Sequence, residues 1–380
     1  MRVLLLYISR GSGHHRASAA IAQALHQQDP TLEVVQLDAF QYTNPILARV
    51  INRTYFSILR TRPEVWDYLY DNPKVLRRVR ALRELIHRYN SGKFKALLER
   101  FRPDVVACTQ AFPCGMMADY KATFQPTLPL VGVLTDYLPH SYWLFDEVDC
   151  YVVASDEANV RMLSHGIPAE RLRWYGIPID PQFAAPLADT PVPSEPPLLL
   201  LMGGSTGFGP WQDILLALDR LTRPCRFHVV AGINHQLYAW CQRSRSRLHH
   251  PLVVEGSVDH VARLMRQAAL LITKPGGLTT AEALTVGLPM VLINPIPGQE
   301  AKNAEFLLRR QAAVRARSVE EVVMLVDELL YQPGKRAHMR QQAQALSRPH
   351  AALDVARLLC QIAQPSWPPT PATASVSPSP

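Results

Sequence analysis

Two glycines and two histidines crowd into residues 11–15, GSGHH, between an apolar run and the alanine-rich stretch ASAAIAQAL. Glycines there let backbone amides approach a ligand at the start of a helix, where the helix dipole favours negative charge. A dinucleotide loop, a catalytic base and a plain tight turn all fit this spacing. The dinucleotide pattern G-x-G-x-x-G fails, because Arg16 stands where its third glycine belongs, although Asp38 ends the second strand as a ribose-binding acid would. His14, at the carboxyl end of the first strand, can exchange protons near neutral pH or simply hydrogen-bond its own loop. His15 follows directly and points elsewhere on a helix, so the two do not serve one site.

A second constellation is LTDYLPHSYW, residues 134–143. Asp136 closes an apolar strand, and His140 and Trp143 follow on a loop. A carboxylate near a histidine orients it or polarises a hydroxyl; a polar loop with an aromatic anchor is the plainer alternative. The second half adds MGGSTG, where Gly204, Ser205 and Thr206 lack the Lys-Ser/Thr pair of a Walker A loop but can cradle a diphosphate. In KPGGLTTAEAL, Gly276 and Gly277 precede a helix expected to begin near Thr279, with Glu282 on its first turn. PIPGQEAKNA then offers Gln299, Glu300 and Asn303, amide and carboxylate groups suited to sugar hydroxyls. Any one of these features is explained by a helix cap; the ordered series is not.

Positioning these groups requires strands that end where they stand. Short apolar runs at 2–8, 33–38, 104–108, 130–134 and 150–154, then 198–202, 226–231, 270–273 and 289–293, alternate with helical patterns. That alternation predicts parallel α/β architecture, whose ligand loops lie at the carboxyl ends of the strands. Proline-rich residues 184–197 read as a linker between two domains, 1–183 and 198–345. Residues 346–364 form a last helix, and the tail from Pro365 to Pro380 lacks the composition of a packed element.

The chain has 380 residues, 48% hydrophobic and 19% charged, which suits a two-domain globular protein. Six cysteines show no C-x-x-C pair and no Cys/His ligand spacing, so a reduced compartment without structural zinc is expected. No stretch approaches 18 consecutive apolar residues. Residues 49–100 hold 13 Lys/Arg against five acids, an excess equal to the formal charge of the whole chain, +8. Within them VLRRVRALRELIHR places Val75, Val79, Leu82 and Ile86 on one helical face, with Arg77, Arg80, Arg83 and Arg88 around it and Trp66 just before. Such a segment suits an anionic bilayer surface, at about 1 kcal/mol per basic residue; a core-facing helix with a solvated basic face is the alternative.

GSGHHRASAA, TDYLPHSYW, GIPID, MGGSTG, KPGGLTTAEAL and PIPGQEAKNA, in this order over residues 3 to about 345, resemble glycosyltransferase family 28 of the GT-B superfamily. The second and last of these motifs lean toward its glycosyldiacylglycerol synthases and away from its peptidoglycan N-acetylglucosaminyltransferase. The resemblance implies an α/β GT-B fold, two Rossmann-like domains facing each other across a cleft. It implies an inverting transfer of hexose from UDP-glucose or UDP-galactose to diacylglycerol or a glycosyl-diacylglycerol, with no metal or other cofactor. His14 then matches the base or acceptor-binding histidine, and Asp136 and His140 fall in the acceptor-side motif. Gly13 lies in the same first loop, facing the donor. Val258 matches the backbone contact to uracil, Gly276, Gly277, Leu278 and Thr279 the diphosphate site, Glu282 the ribose site, and Gln299 with Glu300 the sugar site. The insertion at 49–100, with Trp66, Arg77, Arg80 and Arg83, and Trp143 beside it, would meet acceptor and membrane from the cytoplasmic side. A lipid-linked peptidoglycan acceptor and a UDP-sugar 2-epimerase of the same fold are the rival enzymes. A nucleic-acid module, prompted by RSRSRLHH at 243–250, would leave the donor-site series without a purpose.

Overall fold

A computed structural model gives the fold and describes residues 1–43, 94–184, 196–293 and 298–364. The first sheet contains β1 (Arg2–Tyr7), β2 (Glu33–Asp38), β3 (Val105–Cys108), β4 (Leu130–Val133), β5 (Cys150–Val153) and β6 (Leu172–Trp174). Its order is β2-β1-β3-β4-β5-β6, every pair parallel. The connecting helices are α1 (Gly13–Gln28), α2 (Ala39–Thr43), α3 (Ala111–Phe124) and α4 (Asp156–Ser164), with residues 94–101 also helical. Val3 to Leu6 are fully buried because helices cover both faces of the sheet, which is why β1 is an unbroken apolar run and not an alternating one.

The second sheet contains β7 (Leu198–Met202), β8 (Arg226–Val230), β9 (Leu252–Glu255), β10 (Leu270–Thr273), β11 (Met290–Leu292) and β12 (Ala313–Arg315). It is ordered β12-β11-β10-β7-β8-β9 and is again parallel throughout. Its helices are α5 (Trp211–Leu218), α6 (His235–Ser244), α7 (Val261–Gln267), α8 (Gly277–Val286), α9 (Gln299–Arg309), α10 (Val319–Tyr331) and α11 (Pro333–Leu346). The nine expected strands are present to within about a residue at either end. The three unexpected ones, β6, β9 and β12, are all edge strands of three or four residues.

Strand order decides where ligands can bind. The connections reverse direction between β1 and β3 in the first sheet and between β7 and β10 in the second, and the carboxyl ends at such reversals open a crevice. The loops leaving those ends begin at Ile8, Thr109, Gly203 and Lys274. They are the loops that carry the histidine pair and the glycine motifs.

The final helix, α12 (Ala351–Ile362), crosses back to the first domain. Ala352, Val355, Ala356, Leu358 and Leu359 share one apolar cluster with Ile21 and Leu25 of α1 and with Val3 and Leu5 of β1. The chain therefore passes between the domains twice. Among the described residues no helix is long and apolar enough to cross a membrane, and all six cysteines are free thiols. Trp66, Arg77, Arg80 and Arg83, most of the 49–100 insertion, linker residues 185–195 and the tail from 365 lie outside the described residues.

Candidate active site in the interdomain cleft

The turn after β1 is held by side chains that the cleft itself does not use. Ser9 and Gly11 take positive φ, 68° and 84°. Asp38 Oδ2 accepts the Ser9 N–H at 3.0 Å, and its Oδ1 accepts those of Phe40 and Gln41, both at 3.1 Å. Asp38 is thus the brace of the first loop and the cap of α2, and the ribose-acid reading is corrected. Gly11 N–H donates to His15 Nδ1 at 3.2 Å, and the His15 ring rests 4.6 Å from that of Tyr7. His15 is a second brace.

His14 turns the other way. Its Nδ1 lies 2.9 Å from the Thr109 carbonyl oxygen, while Thr109 Oγ1 donates to the His14 carbonyl at 2.9 Å. A carbonyl can only accept, so Nδ1 carries the proton and Nε2 keeps its lone pair. Thr135 Oγ1, from the loop after β4, sits 2.9 Å from the same Nδ1. Burial pushes the His14 pKa down to about 4, against the bond to Thr109 that raises it. At neutral pH this imidazole is an uncharged proton acceptor, the state a general base needs.

The next residue, Asp136, meets the second domain. Its Oδ1 accepts from Asn303 Nδ2 at 2.8 Å, and burial raises its carboxyl to about 6, with the Asn303 bond opposing. Tyr137 stacks on Phe306 at 4.6 Å, and its hydroxyl lies 3.2 Å from Thr280 Oγ1. His140 is buried, its ring 5.4 Å from Tyr142 and 6.2 Å from Trp143. Trp143 is only 3% exposed and packs over Gly132 of β4. It belongs to the core, and the expectation that it faces a bilayer is corrected.

On the second domain, the 203–209 loop is clasped to the loop after β8. Ile233 N–H donates to the Ser205 carbonyl at 3.0 Å, and Asn234 Nδ2 donates to the Gly207 carbonyl at 3.0 Å. A Cβ on Gly207, whose φ is 59°, would stand 2.1 Å from the Ala231 carbonyl oxygen, so no other residue fits. Gly204 takes φ 68°, Ser205 is exposed and Thr206 is half-buried, leaving both hydroxyls at the mouth of the loop.

Helix α8 begins at Gly277, two residues before the expected start, so Glu282 lies on its second turn and not its first. Gly276 caps the helix without a side chain, and Leu278 and Thr279 complete its first turn. Gly277 touches the first domain: a Cβ there would stand 2.0 Å from the Thr135 carbonyl oxygen. Gly13 is also near α8, a Cβ there lying at ordinary contact distance, 3.6 Å, from Leu278 Cβ. The two contacts bring the start of α8 against the loop after β4 and against the start of α1, where His14 stands. Leu278 and Val258 are both buried in the apolar cluster shared by the domains.

Glu282 is 4% exposed and its Oε2 has no hydrogen-bond partner. Burial pushes its carboxyl up to about 7, against the pull of Arg16 from α1 and helped by Asp180. Arg16 entered the sequence reading only as a missing glycine; here it is the cationic neighbour of Glu282 from across the cleft. Its signal was a charge two residues beyond His14 on an otherwise small-residue helix. Lys274, also buried, lies 3.4 Å from Glu300 Oε1, and Gln299 and Glu300 open α9. Asn303 does not face a sugar. It is fully buried, its Oδ1 accepts the Tyr137 N–H at 3.0 Å, and its Nδ2 serves both Asp136 and, at 3.1 Å, the Pro275 carbonyl. Its donor-binding assignment is corrected to an interdomain one. Arg309 with Glu157 and Arg310 with Asp156, each at 2.6 Å, close the rim.

Two family models match the chain in succession. The monogalactosyldiacylglycerol (MGDG) synthase model covers residues 14–179, and the glycosyltransferase family 28 C-terminal domain covers 198–355. A processive diacylglycerol beta-glucosyltransferase of Bacillus cytotoxicus is 27% identical over 95% of this chain and 93% of its own length. Among solved structures, Acinetobacter baumannii MurG superposes with a TM-score of 0.62 at 17% identity, covering 95% of this chain and 99% of that one. A UDP-GlcNAc 2-epimerase from Neisseria meningitidis bound to UDP-GlcNAc gives 0.60 at 14%, covering 95% and 100%. The fold and its cleft are those of a GT-B glycosyltransferase. Within that class, residues 198–355 match the C-terminal domain of glycosyltransferase family 28 and residues 14–179 the MGDG synthase model, so the chain is similar to glycosyldiacylglycerol synthases of that family.

Proposed function

We propose that the enzyme transfers a hexose, glucose in the first instance, from its UDP-sugar to diacylglycerol or a glycosyl-diacylglycerol with inversion to a β-linkage. The observation that carries this reading is the neutral His14 imidazole. Its Nδ1 is tied to Thr109, its Nε2 is left free, and the start of α1, where it stands, lies against the first turn of α8. The acceptor hydroxyl attacks the anomeric carbon and gives its proton to His14 Nε2. The bond from that carbon to the β-phosphate oxygen breaks, and UDP leaves with the electron pair.

The amides of Gly276, Gly277, Leu278 and Thr279 hold the diphosphate at the positive end of α8, assisted by Gly204, Ser205 and Thr206, without a metal. The unpartnered Glu282 carboxylate accepts the ribose hydroxyls, the Val258 backbone the uracil, and Gln299 with Glu300 the hexose. Asp136 faces the acceptor side, and His140 with its aromatic neighbours shapes that loop. The similarity to the diacylglycerol beta-glucosyltransferase of Bacillus cytotoxicus supports the lipid acceptor and the glucose. The basic 49–100 segment supports a peripheral position on the inner face of an anionic membrane.

The test is UDP release from UDP-glucose and from UDP-galactose, with and without anionic vesicles containing diacylglycerol. Release from UDP-glucose that requires diacylglycerol is the expected result. Preference for UDP-galactose would correct the sugar. Release indifferent to diacylglycerol would remove the lipid acceptor from the account and favour epimerisation or another acceptor.

A further inference from the structure

We infer that Asn303, carried by the second domain, is the positioning residue for the Asp136 carboxylate of the first, so that the acceptor side of the cleft is set only when the domains are closed. This rests on the placement of Asp136 at the acceptor side.

The orientation of the Asn303 amide is fixed by its own partners. Oδ1 must face the Tyr137 N–H at 3.0 Å, and Nδ2 must face the Pro275 carbonyl at 3.1 Å, since neither pairing works with the amide flipped. The remaining Nδ2 hydrogen then points at Asp136 Oδ1, 2.8 Å away. Pro275 belongs to the same domain as Asn303 and Asp136 to the other, so the amide is aimed by one domain at the carboxylate of its neighbour. An aspartate at 303 would set oxygen against oxygen on two sides. A serine or alanine would leave a buried carboxylate without its donor.

Helix α9 repeats the same contact along one face. Asn303 meets Asp136, Phe306 stacks on Tyr137 one turn on, and Arg310 just beyond the helix pairs with Asp156. At the amino end of that helix Glu300 reaches Lys274, next to the turn that opens α8. A single rigid element thus runs from the donor loops to the acceptor loop. The titratable groups around Asp136 are Tyr137, whose phenol burial keeps protonated, and His14 beyond Thr135.

The experiment is a carboxyl carbon-13 NMR titration of aspartate-labelled enzyme, with Asp136 assigned through Asp136→Asn, run alongside steady-state transfer and UDP binding. Donation from the amide favours the ionised carboxylate, so Asn303→Ala moves the Asp136 midpoint up by roughly one pH unit. It should also lower kcat at pH 7 about tenfold or more and leave UDP affinity within about twofold. Asn303→Ser, whose hydroxyl can bond within its own helix, serves if the alanine variant does not fold; it removes the same donor and moves the midpoint in the same direction. Arg310→Ala, which loosens the rim alone, leaves the midpoint at its wild-type value. An unmoved midpoint in a folded Asn303 variant, or an equal move in Arg310→Ala, overturns the assignment. Loss of diacylglycerol-dependent transfer in the wild-type enzyme would strike the proposed function instead, and the titration would still judge the Asn303–Asp136 bond.

Discussion

Glu282 shows what a buried carboxyl without a hydrogen-bond partner on Oε2 costs the fold. Its carboxyl is raised from 4.5 to about 7, mainly by burial, so the unfolded chain ionises it first and the folded protein holds more protons between those values. Stability therefore falls as pH rises through that window, and the full penalty is present above pH 7. Glu282→Gln is expected to stabilise the ligand-free protein at pH 8 by on the order of 2 kcal/mol, and hardly at all at pH 4. The same variant should weaken UDP binding at least tenfold; thermal melts at the two pH values and a UDP titration check both signs. At this scale the sequence could be read only in part. His14 and Glu282 stood in recognisable motifs, whereas the roles of Asp38, Asn303 and Trp143 depend on which surface each faces, and spacing along the chain does not encode that. Arg16 was hidden for the same reason, since its partner is 266 positions away.

At the scale of elements, the central strands were legible because parallel strands buried on both faces are unbroken apolar runs, as Leu198–Met202 is. The edges were not. In β6 an arginine and an exposed tryptophan follow a single buried leucine, and in β9 the apolar run is only Leu252–Val254, with Val253 facing solvent, so neither edge carries the longer run of a strand buried on both faces. The early start of α8 has a different cause: the Thr135 carbonyl occupies the space a side chain at 277 would need, so a residue that weakens helices is required on the first helical turn. Gly277→Ala should push the loop after β4 away from α8 and lower kcat/KM about 10- to 100-fold. Transfer kinetics on a variant shown to be folded by its thermal melt test this. Activity close to wild type would mean that the approach of α8 to Thr135 does not matter to the reaction.

At the scale of the whole molecule, two sheets present their crevices to each other and a returning helix ties them. The two sheets were legible in the two sets of apolar runs, but the return of α12 to the first sheet's side was not, because an amphipathic helix does not name the surface it covers. Leu359→Ala empties part of the cluster that α12 shares with α1 and β1, and should cost about 2–5 kcal/mol. Denaturant unfolding should record that loss chiefly in the first domain. The proposed transfer depends on His14 as the base in the interdomain cleft. Its most direct test is turnover of His14→Ala with UDP-glucose and diacylglycerol vesicles, measured together with UDP affinity. A fall of about 10²–10⁴-fold in kcat with UDP affinity within about twofold is the predicted result; turnover close to wild type would contradict the account.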